Sequence, residues 1–462
     1  MSALRQRVAT LAVGAGQQSA PASLRSGRAV LRLALLLLAL SLLAWWGWPR
    51  LCLRQFQSAI ALQDLKSAEI WLQRAEWLPP VSAEVAFSRV RLARRLSRTD
   101  ELVGAIPLAQ QRGVPASRLL REANLAAAAA GDLQRLEQEL PSLLQAGDDL
   151  PEICEAYARG CILNDQLGEA ERLLELWKSD FPADPQPWFL QGRLQEHRSD
   201  LKQAADNFRK ALELSPHHAA AACNLGRILL TQQQPAEALV WFQRAVQDLA
   251  EPQPALVGAA RCQRELEQWA AARATLKLAL ARPQTRLVES YRLVGERSES
   301  ALAQAPAERG QLEFAEEHFA EALPWFEQAL EVSPHDWRTR YSYATALRQT
   351  GRKEDADREF EQVEVTRAAL ASCDQLIGSL QQNPANPDAR YRIGMVLMEH
   401  VSPNQGLIWL NSVLTYDPHH LPTLQALAEY FTVHRDEHPE YPALAKRHAD
   451  TAALIGNHAA GP

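Results

Sequence analysis

The chain has 462 residues, with 49 Lys and Arg against 55 Asp and Glu and a formal net charge of -6. So small and dispersed a balance excludes a nucleic-acid surface. Gly and Pro stand near ordinary usage at 21 and 27, and β-branched runs are absent, so low-complexity chain and sheet are excluded and helix remains.

The first 27 residues are expected as a disordered cytoplasmic N-terminus, and 28–49 as a transmembrane helix. No charge falls between Leu33 and Trp48, and with the residues just before them the apolar run reaches about 20 residues, enough to cross a bilayer. Trp45, Trp46 and Trp48 crowd the far end, where amphipathic rings favour the interface, and Pro49 is expected to stop the helix. Those tryptophans stand where a cleaved signal peptide carries small residues, which favours an uncleaved anchor. Arg5, Arg7, Arg25 and Arg28 precede it with no acid in the first 48 residues. That bias predicts a single-pass membrane protein, N-terminus cytoplasmic, with the remainder extracytoplasmic and periplasmic in a bacterium.

Beyond the anchor, 50–150 reads as degenerate helical repeats, where Ala68, Leu72, Ala75 and Pro80 fit one second helix. From 151 to 286 the pattern becomes regular. Blocks close at Pro182, Pro216 and Pro252, and Pro182 to Pro216 is 34 residues, a period that marks stacked helical hairpins. Small residues recur where two helices must cross closely, and large ones where neighbouring hairpins leave gaps. From 287 to 455 further repeats follow, interrupted by an extra helical stretch at 286–304 and by the breaker-free run 354–382. Either interruption is read as a place where the stack bends. Residues 456–462 are expected as a disordered tail.

These blocks resemble the tetratricopeptide repeat family. The block at Pro185 supplies Trp188, Gly192, Ala204, Phe208, Ala211 and Pro216; that at Ala219 supplies Leu225, Gly226, Leu229, Ala238, Phe242 and Ala245. Tyr157, Ala158, Cys161, Ala170 and Leu174 match in the preceding block, and Ala322, Phe326, Ala329, Ala344, Leu347, Ala356 and Phe360 match later. The resemblance implies an all-α, right-handed superhelical solenoid of roughly nine or ten repeats. It also implies a binding scaffold for other proteins or peptide segments rather than an enzyme.

In this family the first helix of each repeat lines a concave groove. Arg159, Arg193, Arg227 and Arg261 recur at 34-residue spacing on that face; Arg264, Arg338 and Arg348 extend the theme. A guanidinium row suits carboxylates or an acidic peptide. The alternatives left open are pairing with groove acids such as Glu152, Glu155 or Glu196, and this chain's general use of Arg. The row lacks the Lys and Asn pattern of chaperone-binding members.

Other chemistry is weakly signalled. The six cysteines form no C-x-x-C, which removes zinc ribbons and dithiol redox sites; Cys154 and Cys161 are expected as buried thiols. His434 to His438 reads H-x-x-E-H, a zinc-peptidase pattern, but Pro439 breaks the helix the ligands would need. A metal-dependent hydrolase is thus a minor alternative, and an accessory subunit of envelope polysaccharide or cell-wall assembly is another. No catalytic residue, cofactor, metal or nucleic-acid partner is expected.

Overall fold

The computed structural model describes residues 47–77, 81–134, 136–137, 150–164, 166–281, 286–295, 299–380, 382–437 and 440–459. Among these there is no strand. Helix α1 covers 47–61, and α2 to α5 are Leu65–Glu76, Ala83–Arg95, Thr99–Gln111 and Ala116–Ala129. The central set α6 to α13 is Leu150–Leu163, Leu167–Asp180, Gln186–His197, Leu201–Leu214, Ala219–Thr231, Pro235–Asp248, Gln253–Glu265 and Trp269–Leu280. After them come α14 (Leu287–Leu293), α15 (Gln304–Ala315), α16 (Phe319–Val332), α17 (Trp337–Gln349) and α18 (Lys353–Leu380). The chain ends with α19 to α22: Pro387–His400, Pro403–Tyr416, Leu421–Val433 and Tyr441–Ala459.

Each hairpin turn closes in the same way. A backbone N–H donates to the carbonyl five residues earlier: Asp64 to Ala59, Arg98 to Ala93, Asp132 to Ala127, Gln166 to Cys161, Asp200 to Gln195, Gln234 to Leu229 and Gln268 to Gln263. The residue before the donor has a positive φ at Gln63, Ser97, Gly131, Ser199, Gln233 and Glu267. This is the six-to-one closure of a helix C-terminus; its hydrogen bonds offset the roughly 1 kcal/mol cost of left-handed backbone in a non-glycine residue. From Asp64 to Gln268 the spacing never leaves 34. The upstream hairpins, whose side-chain pattern is faint, therefore keep the register of the regular ones.

The same closure returns at His318 and Arg352, and Ser402 keeps its hydrogen bond although Val401 before it has φ -131. Gln268 to His318 is 50 residues, one repeat and 16 more, and so is Arg352 to Ser402. The first excess is the excursion containing α14. The second lengthens α18 to 28 residues. Neither interrupts the stack: α12 and α13 pack on α15 through Ala260, Ala272, Leu276 and Leu312, and α18 continues onto α19.

Helix starts are set by side-chain caps at Asp64, Ser82, Asp200, Asp336, Asn386 and Ser402, which accept the free amides of the first turn. Close crossings need small residues. A Cβ on Gly192 would lie 2.5 Å from the ring of Phe208, the aromatic of the second helix.

Two expectations change. Pro49 does not end a helix, since α1 runs from 47 to 61 through it. The single-pass membrane localisation with extracytoplasmic repeats is corrected: no helix among the described residues is long and apolar enough to cross a membrane. The expected anchor lies outside the described residues except for 47–49.

Candidate functional site

The concave wall of the first repeats is closed by the chain itself. Ser215 Oγ donates to the carbonyl of Leu62, and Lys66 Nζ to that of Gln247. Arg98 Nη2 lies 3.3 Å from Glu251 Oε1. These contacts join the first hairpins to segments 153 to 181 residues later, so the opening hairpins seal the inner wall.

Under that seal lies a buried ionic ladder. Arg94 of α3 meets Glu122 of α5 at 2.6 Å and also Glu152 of α6. Arg91 shares Glu152, and Arg95 pairs with Glu155 at 2.6 Å. Gln186 Nε2 donates to Glu155 Oε1 at 2.9 Å, and the His218 ring lies 3.0 Å from Gln186 Oε1. Burial opposes ionisation of Glu152, but Arg94, then Arg91 and Arg95, outweigh it and hold its pKa at about 2. Burial pushes His218 down to about 3, leaving the ring neutral. Its Nδ1 accepts from the Ala221 amide, so Nε2 carries the proton given to Gln186.

The expected arginines fall into two groups. In the first half they are engaged within the chain. Arg159 lies 3.6 Å from Glu155. Arg193 Nη1 meets Glu196 at 2.6 Å, and Arg227 meets the same carboxylate at 2.5 Å. Arg193 Nη2 also donates to the carbonyl of Gly295 at 2.7 Å. Arg261 reaches Glu265 of its own helix at 3.3 Å, and Arg264 reaches Glu308 of α15 at 2.5 Å. Pairing with groove acids, one alternative the sequence left open, is thus seen at Glu155 and Glu196. Arg193 and Arg227 converge on Glu196, and Arg261 and Arg264 both reach Glu265, the latter at 3.9 Å.

In the second half the face is open. Arg338 and Tyr341 are exposed on α17. Arg348 is also exposed, 3.0 Å from Asp357 and stacked 4.4 Å from the Phe360 ring.

A cavity of about 530 Å³ lies between α1, α3 and the α7–α8 turn, lined by Phe56, Ile60, Trp177 and Phe181. Its acidic groups are answered internally, Asp184 by Trp177 Nε1 at 3.1 Å and Glu152 by the arginines above. Glu313, Glu316 and His318 are spaced for a metal, but Arg273 bridges both carboxylates and Arg309 takes Glu313 as well. In the H-x-x-E-H segment His434 stacks 4.3 Å from Tyr430 and faces Glu437 at 2.7 Å, while His438 lies outside the described residues. Burial lifts the Cys154 and Cys161 thiols to about 11, and neither is in a disulfide.

Gln186, Asn224 and the 294–295 segment escaped the sequence reading, while His218, expected with His217 as a solvated loop residue after the closing proline, is instead buried as a helix cap. Gln186 and Asn224 each sit on a groove helix among apolar neighbours, a signal that was present and not followed.

A stack of hairpins that keeps a 34-residue period from Asp64 to Gln268, with its first helices forming an inner wall, defines a helical-repeat solenoid. Residues 189–254 and 313–364 match family models described as tetratricopeptide repeat, and those segments are tetratricopeptide repeats. The chain's fold is similar to that of PilW, a "widely conserved type IV pilus biogenesis factor", at 19% identity, covering 47% of this chain and 94% of that one with a TM-score of 0.40. It is similar to pilF of Pseudomonas aeruginosa at 16% identity over 53% and 97% of the chains, TM-score 0.33. The Cut9–Hcn1 hetero-tetramer of the APC/C matches at 13% identity over 84% and 68%, TM-score 0.47. Likenesses of this strength say nothing of what the chain binds. No curated protein matches it.

Proposed function

We propose that this chain is a non-catalytic scaffold that holds an extended partner segment against the open wall around α17. The observation that carries this reading is a contrast at one repeat position. Phe189 of α8 and Tyr341 of α17 stand at the same place in their repeats. Each packs on the aromatic of its second helix, at 5.7 Å from Phe208 and 5.5 Å from Phe360. Phe189 is 6% exposed, whereas Tyr341 is 51% exposed. An exposed aromatic beside two arginines suits a segment that offers an apolar side chain and a carboxylate.

Selection of displayed peptides against the full chain tests this. Acidic sequences with an apolar anchor should emerge, and Tyr341→Ala with Arg338→Glu should weaken them at least tenfold without altering the helical circular dichroism. Selected peptides that bind this variant as well as the parent would refute the site.

A further inference from the structure

The stack does not need the chain between α13 and α15, because those two helices pack on each other directly, joined by Ala279, Ala305, Leu276 and Leu312. Yet one described part of it, 286–295, is deeply placed. Ser290, Tyr291 and Val294 are buried, and Val294 joins the core cluster of α8 and α10. Leu293 packs on the N-terminal cluster around Phe56, and Arg286 comes within 3.7 Å of Glu251.

The far end is held by its backbone. The Val294 carbonyl accepts from Asn224 Nδ2 at 3.0 Å, and the next carbonyl, that of Gly295, accepts from Arg193 Nη2 at 2.7 Å. The two donors sit on successive first helices, α10 and α8. Side chains reaching successive main-chain carbonyls grip a peptide without regard to its side chains, while the burial of Tyr291 and Val294 supplies selectivity. Gly295 has φ +89, and a Cβ there would lie 2.5 Å from Arg193 Nε, so this final position favours glycine, and a large side chain would have to push the Arg193 guanidinium off its carbonyl.

We propose that 286–295 is an intramolecular ligand. It occupies a peptide site on the α8–α12 wall, and a partner segment with the same chemistry displaces it: a short helical turn bearing a buried aromatic, then an aliphatic residue, then glycine. The resident competes from a tether, at an effective concentration on the order of millimolar, so a partner must outbid it or bind after it lifts. This wall is separate from the one around α17, and failure here leaves that site standing.

The probe is a labelled synthetic peptide of residues 286–296, titrated by anisotropy against the full chain. The parent should bind it weakly, and Gly295→Leu, which expels the resident, should bind it at least tenfold tighter. Asn224→Ala added to Gly295→Leu should reverse that gain. Leu293→Asp is the second releasing variant, and both should keep the parent's helical circular dichroism because α13 packs on α15 without the excursion. Equal affinity for the parent and the released variants, or binding to none of them, overturns the proposal. Collapse of the helical signal in both variants does so too, since the excursion would then be structural.

Discussion

Replacing Glu152 by Gln isolates the charge at the centre of the sealed ladder. Its side chain is 7% exposed, and its carboxylate is shared by Arg94 and Arg91. Its pKa of about 2, against an ordinary 4.5, corresponds to about 3 kcal/mol of stability at neutral pH. That agrees with the 3–5 kcal/mol expected when one partner of a buried ion pair is removed and its cations stay behind. Because the folded pKa is depressed, the unfolded chain binds more protons between about pH 2 and 4.5. The contribution is therefore complete above pH 4.5 and is lost as the pH falls toward 2. Hydrogen exchange in α3, α5 and α6 measures the local opening free energy without requiring the whole solenoid to unfold in one step. The variant should open about 3 kcal/mol more easily at pH 7, and its gap from the parent should start to narrow below about pH 4.5. A gap under about 0.5 kcal/mol at pH 7, or one unchanged at pH 3.5, would refute the assignment of Glu152 as the shared counter-ion.

The neutral state of His218 gives a second pH signature. Its folded pKa of about 3 lies below the ordinary 6.5, so stability present above 6.5 falls on acidification, by roughly 2 kcal/mol at pH 5. His218→Asn should flatten that slope, and NMR of the ring should show it uncharged at pH 5. Gly192→Ala places a Cβ 2.5 Å from Phe208 and should cost about 1–3 kcal/mol by overpacking. Gly104→Ala meets nothing within 4 Å in α4 and should gain up to about 1 kcal/mol from helix propensity; comparison of thermal midpoints separates the two. Arg348→Glu should bring α17 into repulsion with Asp357, 3.0 Å away from the present guanidinium, and should lower capture of acidic peptides selected on the parent.

The hairpins were legible because their determinants are local. The small residue at Gly192 and Gly226 and the aromatic at Phe208 and Phe242 meet within one repeat, so a 34-residue period carries them to the reader. Upstream the side-chain signature fades, but the turn closures at Asp64, Arg98 and Asp132 hold the same spacing. A closure made of backbone bonds leaves little trace in residue type, as Gln63 and Ser97 at positive φ show.

The fate of the arginine row could not be read in the same way. Whether Arg193 faces solvent or Gly295 depends on how far the stack curves and on where the excursion lands, 102 residues along the chain. Small rotations at each helix crossing add up over five hairpins before Ser215 meets Leu62. No short-range pattern records that sum. The practical consequence is specific: periodic spacing identifies which residues line an inner wall, while occupancy must be found by asking what the interruptions of the period do. Here one interruption of 16 residues lies on the early wall, and the other lengthens α18. The exposed face of α17 lies between them, which makes Arg338 and Tyr341 better first targets for mutation than the more regular row at 159, 193, 227 and 261.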